Sequence, residues 1–393
     1  MQQRRSSTPS PKAPMTKATH NPQLRTPNPL HILVIGAGAI GCLVGGKLAQ
    51  AGFPITLVGR QRFVDAVRAD GLRIISGDAT QRVDGVHPAA SLADACRYAQ
   101  STERFFDVAI LTVKSYDTAD ALAELQESAQ KTGVPVPPIL CLQNGVGNEE
   151  AIAARFGPQR VIAGTITAPV ESPAPGVVRL TRPKFLIGMA RWDTQSPAPI
   201  FDALHSQLLA AAIPVTLYAN ARSMKWTKLL MNQIGNATSA ILALPPGVTF
   251  AHPAIADLEI AALRETLAVM TALGVPPVNV EKYPLGTLSS LLRHGPGWLL
   301  RPVLRKIVSG ARGGKMPSLY LDLETGKAKN EIAWYNGAVA RAGADVGVAT
   351  PINQLLSQTV QNLAAHPDEW TGWRGNTERL VSAVRTNPYR RRK

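Results

Sequence analysis

Short apolar runs alternate with helix-like stretches over the first half of the chain. The runs that predict buried strands lie at residues 32–35, 55–58, 72–75, 108–113 and 139–142. Helical periodicity follows at residues 40–51 and again at about 118–130. Strands that alternate with helices are typical of a doubly wound parallel sheet with helices on both faces. The pattern therefore predicts an α/β domain.

The pattern changes after residue 160. Segments 161–167, 176–181 and 184–188 predict short strands, expected to be antiparallel, and 213–218 predicts the last strand. Helical patterns then occupy residues 221–243, 253–273, 285–309, 318–325, 330–345 and 352–364. We predict a Rossmann-like doubly wound sheet domain followed by an all-helical domain. The predicted divisions are a disordered basic tail (1–29), the sheet domain (30–219), the helical domain (220–368) and a basic C-terminal tail (369–393).

The net charge of +15 is concentrated at the two ends. Residues 1–29 and residues 380–393 each carry five basic side chains and no acid. We expect both ends to be solvated and disordered. Contact with nucleic acid or acidic lipid is the alternative, and the N-terminal tail could also be a transit peptide. Because the body is only mildly basic, we expect no nucleic-acid partner.

Cysteine, histidine and apolar runs narrow the class of protein. The three cysteines, Cys42, Cys96 and Cys141, are too widely spaced for a disulfide framework, which favours a reducing, cytoplasmic location. The seven histidines show no paired ligand spacing, so no metal site is predicted. The apolar stretch 30–46 is short for a membrane span. We therefore expect no integral membrane segment.

A glycine-rich turn follows the first predicted strand and opens the first predicted helix. Its residues fit the pattern G-x-G-x-x-G and are Gly36, Ala37, Gly38, Ala39, Ile40 and Gly41. The first glycine permits a tight turn, the second lets the backbone approach a pyrophosphate, and the third lets the helix pack closely on the strand. The helix N-terminus offers free N–H groups to phosphates. Because strand, glycines and helix agree in register, a dinucleotide site is favoured over an ordinary glycine-rich connection.

The residues after the second strand indicate which dinucleotide binds. An acid there would bond the ribose 2′-OH and favour NAD, but the sequence has Arg60 in a stretch without acids. A guanidinium can hold a 2′-phosphate with two hydrogen bonds. Arg60 therefore predicts NADP(H), with a plain surface arginine as the alternative. Lys114 and Asn144 follow two later strands and could line the same edge of the sheet or be ordinary turn residues.

A polar stripe on an apolar helix is the candidate catalytic feature. Lys228, Asn232 and Asn236 recur at i, i+4 and i+8 and so share one face of the predicted helix. A solvated face is the alternative. Reduction of a ketone requires stabilisation of charge on its oxygen and delivery of a proton, and an ammonium group supplies both. Lys228 is therefore the candidate acid, and the two asparagines are candidate partners of substrate oxygens.

Several motifs, in order, resemble the ketopantoate reductase (2-dehydropantoate 2-reductase) family over roughly residues 31–365. They are the glycine turn 36–41, LQNG at 142–145, WTKLLMN at 226–232 with Asn236, PSLYLDL at 317–323, EI at 331–332 with NG at 336–337, and GVATPIN at 347–353. The resemblance implies NADPH-dependent reduction of a 2-oxo acid to a 2-hydroxy acid. Ketopantoate to pantoate, in pantothenate biosynthesis, is the leading case. Other 2-oxo acids stay possible because the pocket lining sets substrate choice.

The resemblance also implies roles for individual residues. Lys228 corresponds to the general acid, and Glu331 to a second catalytic residue that orients the substrate hydroxyl and the lysine. The residues implied to bind substrate are Asn232, Asn236, Ser318 and Asn144. The residues implied to contact NADP(H) are the glycine turn, Arg60, Lys114 and Asn144.

Two features depart from the family pattern. The spacing from Asp322 to Glu331 is one residue longer than in well-known members, which leaves Glu324 as a fallback. The basic, leucine-rich segment 283–316 lies outside the motifs. Its amphipathic pattern predicts a helix packed on the body. A cap over the cleft, a homodimer contact and a membrane-surface contact are the alternatives.

Two other functions fit parts of the pattern. A β-hydroxyacid dehydrogenase also joins a Rossmann domain to a helical domain, but residues 317–353 argue against it. A non-catalytic NADP(H) sensor would use the glycine turn and Arg60 while leaving Lys228 without a chemical role. Turnover distinguishes the sensor from an enzyme.

Overall fold

A computed structural model of the chain describes residues 29–280, 283–312 and 315–386, without the side chains of residues 309–312. The strands are β1 (Ile32–Ile35), β2 (Ile55–Val58), β3 (Leu72–Ser76), β4 (Ala79–Val83), β5 (Val86–Ala89), β6 (Val108–Leu111), β7 (Ile139–Cys141), β8 (Val161–Thr167), β9 (Val170–Ala174), β10 (Val177–Leu180), β11 (Leu186–Arg191) and β12 (Val215–Leu217). The helices among them are α1 (Ala39–Gln50), α2 (Gln61–Asp70), α3 (Leu92–Ser101), α4 (Thr118–Thr132), α5 (Asn148–Phe156) and α6 (Ala198–Ala210).

Helices make up the remainder. They are α7 (Ala221–Gln233), α8 (Ala237–Leu242), α9 (Pro246–Thr249), α10 (Pro253–Ala272), α11 (Leu285–His294), α12 (Gly297–Arg312), α13 (Ser318–Glu324), α14 (Asn336–Asp345), α15 (Pro351–Ala365) and α16 (Thr377–Arg385). Short 3-10 helices lie at Ser115–Asp117, Pro158–Arg160, Glu331–Trp334 and Pro367–Gly372. None of the described helices is both long enough and apolar enough to cross a membrane.

The large sheet has eight strands in the order β12-β11-β8-β7-β6-β1-β2-β5. Its neighbouring strands are parallel except for β8 and β11. In the central strand β1, Ile32 and Val34 join one apolar core with α1, whereas Leu33 and Ile35 join another with α3 and α4. Both faces of the strand are therefore buried against helices. This arrangement confirms the predicted doubly wound sheet followed by a helical part.

A second, four-stranded sheet has the order β4-β3-β10-β9. The prediction that residues 72–75 continue the parallel sheet was wrong, because β5 pairs with β2 at that edge and β3 pairs with β4 and β10. The expected antiparallel pairing is present between β8 and β11 and between β9 and β10, whereas β10 runs parallel to β3. An apolar pattern shows that a strand is buried without showing which strand lies beside it.

The predicted helix 221–243 is interrupted. Helix α7 ends at Gln233, and Gly235 adopts a positive φ of 64° before α8 begins at Ala237. A left-handed residue cannot continue an α-helix, and glycine takes this conformation without strain. Segment 285–309 is likewise two helices, α11 and α12, and 330–345 begins with a 3-10 turn rather than an α-helix.

The segment 283–316 packs on the body through α11 and α12. Leu292, Leu300 and Leu304 are buried in the core of the helical part, whereas Trp298 is 72% exposed. After α12, Lys315 forms an ion pair of 2.6 Å with Glu171 of β9. The helical prediction is confirmed, and the proposed dimer and membrane contacts stay predictions.

The C-terminal segment is part of the fold. Trp370 and Leu380 are buried in the helical core, and α16 follows them. The prediction of a disordered end from residue 380 was therefore wrong for residues 380–386, and residues 369–379 of the predicted tail are folded too. Burial of the apolar side chains of Trp370 and Leu380 favours the packed state. Residues 387–393, and residues 1–28 of the predicted N-terminal tail 1–29, lie outside the described residues. The domain division near residue 220 stays a prediction.

Candidate active site

Helix α7 turns its polar stripe toward the large sheet. Asn220 caps the helix by accepting a hydrogen bond from the backbone N–H of Ser223 at 2.8 Å. Lys228 is 6% exposed, and its ammonium donates a hydrogen bond to the hydroxyl of Thr167, the last residue of β8. Asn232, one turn further on, donates to Oδ1 of Asn144 at 3.1 Å. These contacts argue against a solvated face.

Asn144 lies in the turn between β7 and α5. Its backbone carbonyl accepts hydrogen bonds from the hydroxyl of Ser115 at 3.0 Å and from the side chain of Asn148 at 3.1 Å. Gly145 has a φ of +81°, and a Cβ there would lie 2.5 Å from the carbonyl oxygen of Trp334. The turn therefore packs directly against the 3-10 helix that begins at Glu331.

Glu331 lies at the start of that 3-10 helix and is 3% exposed. Its carboxylate accepts hydrogen bonds from Nζ of Lys114 at 2.8 Å and from the backbone N–H of Ser115 at 3.4 Å. The alternative Glu324 instead pairs with Arg374 at 2.9 Å, where both side chains are exposed. The longer spacing after Asp322 thus leaves Glu331, rather than Glu324, next to the other candidates.

Hydrogen bonds join the candidate residues across the two halves of the chain. Asn232 donates to the Asn144 side chain, the Ser115 hydroxyl donates to the Asn144 carbonyl, and the Ser115 backbone N–H donates to Glu331. The connection links α7 through the edge of the large sheet to the segment before α14. Together with Lys228, these residues place an ammonium group, carboxamides and a carboxylate at the carboxyl ends of parallel strands. Open α/β sheets bind ligands at this edge.

Two further candidates are less connected. Asn236 is buried at the start of α8, and its Oδ1 has no hydrogen-bond partner among the described residues. An acceptor of this kind suits a donor on a ligand. Ser318 is exposed at the first residue of α13. No hydrogen bond within the described structure ties Ser318 to the other candidates.

The glycine turn has the geometry expected of a pyrophosphate site. Gly36 has a φ of +112°, and a Cβ on Gly41 would lie 1.9 Å from the carbonyl oxygen of Gly36. An added Cβ on Gly38 would meet no atom within 4 Å, so the start of α1 is open to an approaching group. The first turn of α1 contains no acid. These residues fit an anion bound at the helix N-terminus.

Arg60 follows β2 and caps α2, where it is exposed. This position suits the predicted contact with a 2′-phosphate. Lys114, expected at the same phosphate, is instead paired with Glu331. Burial tends to lower the pKa of Lys114, but the Glu331 carboxylate outweighs it, and the net direction is upward. The ammonium charge of Lys114 is therefore held by Glu331 in this structure.

Sequence reasoning missed four polar residues in or beside the site. They are Ser115, Thr167, Glu149 and Lys225. The last two form a fully buried ion pair of 2.7 Å. Lys225 carried one available signal, since it is one of three basic residues in α7, with Arg222 and Lys228. The other three could not be found because each lies on a different element, far away along the chain.

Comparison with known proteins shows which family the chain is similar to. The family model described as ketopantoate reductase PanE/ApbA matches residues 32–192, and the model of that family's C-terminal part matches residues 220–364. A 2-dehydropantoate 2-reductase from Pyrococcus horikoshii is 28% identical over 83% of this chain and 95% of its own. One from Halobacterium salinarum is 28% identical over 84% of this chain and 98% of its own.

A solved structure gives the same result. The crystal structure of a PanE/ApbA family ketopantoate reductase from Ralstonia eutropha JMP134 has a TM-score of 0.70 and 26% identity, and it covers 87% of this chain and 100% of that one. The resemblance seen in the sequence motifs is thereby confirmed at the level of the family. The two family matches together span well over half of the chain, and the chain belongs to the ketopantoate reductase family.

Proposed function

We propose that the protein uses NADPH to reduce the ketone of a 2-oxo acid to a 2-hydroxy acid, with ketopantoate to pantoate as the leading case. The observation that carries this proposal is the buried Lys228 ammonium, fixed by Thr167 one helical turn from the Asn232–Asn144 contact. Relatives matched over 95–98% of their own length bear the name 2-dehydropantoate 2-reductase. Pantoate formed in this way would enter pantothenate biosynthesis, and we expect this to occur in the cytoplasm.

The cofactor preference is argued from two positions. Gly38 leaves open space at the N-terminus of α1 for a pyrophosphate, and Arg60 offers an exposed guanidinium after β2. A bound NADPH supplies the hydride that reduces the ketone carbon. In NAD sites an acidic residue at the end of this strand accepts a hydrogen bond from the ribose 2′-OH. The end of β2 has no acid, which favours NADPH over NADH.

Lys228 performs the proton chemistry in this proposal. Its ammonium donates a hydrogen bond to the ketone oxygen, stabilises the negative charge that grows there, and passes the proton from Nζ to that oxygen. Thr167 orients the ammonium from the end of β8. Because Lys228 is buried, water competes little for this hydrogen bond.

The remaining polar groups would hold the substrate. The Glu331 carboxylate accepts a hydrogen bond from the substrate hydroxyl. The amides that would bind substrate oxygens are those of Asn144, Asn232 and Asn236, together with the hydroxyl of Ser318. The unpartnered Oδ1 of Asn236 suits a hydroxyl donor, which favours a hydroxylated 2-oxo acid such as ketopantoate.

The direct test is a panel of 2-oxo acids assayed by NADPH oxidation, repeated with NADH. We expect ketopantoate to be the best substrate and Lys228→Ala to lose its turnover while still binding NADPH. Lys131→Ala, at a lysine whose side chain is 70% exposed, is the control and should keep full activity. Unchanged turnover in Lys228→Ala would defeat the mechanism. NADPH binding without turnover in the wild type would favour the sensor.

A further inference from the structure

Lys225 lies one helical turn before Lys228 and is fully buried, with 3% of its side chain exposed. Its ammonium donates hydrogen bonds to the carbonyl of Gln143 at 2.8 Å and to the carbonyl of Gly164 at 3.1 Å. It also forms an ion pair of 2.7 Å with Oε1 of Glu149. All three oxygens belong to the protein, so this buried ammonium is engaged within the fold rather than with a substrate.

The two carbonyls belong to the segments that hold the candidate active site. Gln143 directly precedes Asn144, the partner of Asn232. Gly164 lies three residues before Thr167, the partner of Lys228, on the same strand. A single buried ammonium therefore ties α7 to the two backbone segments that carry Asn144 and Thr167, the partners of Asn232 and Lys228.

Glu149 completes the arrangement from the first turn of α5 and is 1% exposed. Burial alone would lower the pKa of Lys225, but the Glu149 carboxylate outweighs it, so the net direction is upward. Burial also raises the pKa of the Glu149 carboxyl, and the Lys225 ammonium opposes that rise only in part. A buried pair of this kind is weak evidence for stability, since apolar replacements of similar volume are often equally stable. The contacts that the pair makes therefore say more about its role than its effect on stability does.

We propose that Lys225, held by Glu149, is a positioning residue that sets the register of α7 on the sheet edge and so the placement of the Lys228 ammonium. The inference rests on the proposed function, because it assigns a chemical use to Lys228. Lys225 itself touches neither substrate nor cofactor. Loss of its two carbonyl bonds would let α7 shift relative to Thr167 and Asn144, and a misplacement of about 1 Å can cost roughly a hundred-fold in rate.

The test compares the double variant Lys225→Met/Glu149→Met with the wild type. Methionine replaces each side chain with an unbranched apolar one, so we expect a similar Tm. We expect kcat with ketopantoate to fall about a hundred-fold, with the Kd of NADPH and the pH profile of kcat unchanged. A merely structural pair would leave kcat alone, so a folded double variant with wild-type kcat would overturn the proposal.

The exposed ion pair of Lys131 and Glu127 supplies the matched control. Lys131→Met/Glu127→Met should keep both Tm and kcat. Should the buried double variant fail to fold, Lys225→Gln/Glu149→Gln serves instead, because its two neutral amides can bond each other while the shorter side chain at position 225 no longer bonds both carbonyls. It should lose part of kcat with an unchanged KM, and full wild-type kcat there would count against the proposal.

Amide hydrogen exchange separates this inference from the proposed function. Residues 143–147 and 164–167 should exchange faster in the buried double variant than in the wild type, while residues 32–35 should not change. If the wild type reduces no 2-oxo acid, the proposed function fails whatever the exchange shows. If exchange at both segments is unchanged, the positioning role fails even in an active enzyme.

Discussion

The ammonium of Lys114 lies 2.8 Å from Oε2 of Glu331, and this ion pair joins the turn after β6 to the 3-10 helix before α14. The lysine side chain is 44% exposed, whereas the carboxylate is almost fully buried. Sequence reasoning assigned the two residues to different tasks, one at the cofactor phosphate and one at the substrate. Because the two side chains are in contact, the charge and position of one residue affect those of the other.

The pair predicts a dependence of stability on pH. Because the folded state raises the pKa of Lys114, the stabilisation is fully present below the ordinary lysine pKa of about 10.4 and is lost as pH rises through the raised value. The free energy of unfolding should therefore differ between the wild type and Lys114→Met at neutral pH, and the two should converge in strong alkali. Urea titrations across that range measure it, and a difference independent of pH would contradict the assignment.

Two glycines of the first turn should respond differently to alanine. At Gly41 a Cβ would lie 1.9 Å from a backbone carbonyl oxygen, so Gly41→Ala should lower stability and impair folding. At Gly38 the φ is −81° and the space is open, so Gly38→Ala should change stability by less than about 1 kcal/mol. The added methyl should nevertheless weaken NADPH binding, because it occupies the path of the pyrophosphate.

Each glycine variant is the control for the other. Thermal unfolding and NADPH titration by fluorescence provide the two measurements. A Gly38→Ala protein that folds normally and binds NADPH as tightly as the wild type would remove the phosphate site from the start of α1.

Cofactor discrimination should depend on Arg60. Loss of its charge-assisted hydrogen bonds in Arg60→Ala should weaken NADPH binding by about 1.5–3 kcal/mol, which is roughly ten- to a hundred-fold in Kd. NADH binding should be unaffected, because NADH has no 2′-phosphate. Arg62→Ala, at another exposed arginine two residues further on, should retain the preference for NADPH. Equal losses for both cofactors would show that Arg60 does not contact the phosphate.

Local features of this fold could be predicted from the sequence. Patterns within a few neighbouring residues are enough to predict the buried strands β1, β2, β6 and β7 and the glycine turn. Features that depend on distant partners could not. The pairing of β3 with β10, rather than with the large sheet, is decided about a hundred residues away along the chain.

The candidate site divides in the same way. The stripe of Lys228 and Asn232 follows from helical spacing, but Gly235 interrupts the helix before Asn236. Glu331 entered through the family resemblance alone, since a glutamate near a helix start is ordinary. Lys225 and Glu149 were missed because nothing in the chain between them indicates that their side chains meet.

The C-terminal segment gives the largest disagreement with the sequence prediction and a test of stability. Trp370 is 4% exposed, and its indole N–H donates hydrogen bonds of 3.0 Å to the carbonyls of Ala240 and Ile241 in α8. Trp370→Ala should therefore lower the free energy of unfolding by about 3–5 kcal/mol, as large-to-small changes in cores do. Trp298→Ala, at a tryptophan 72% exposed, is the control and should shift it by no more than about 0.5 kcal/mol. Equal, small effects in urea unfolding would mean that the segment does not pack on α8 and that its basic end behaves as the tail that the sequence predicts.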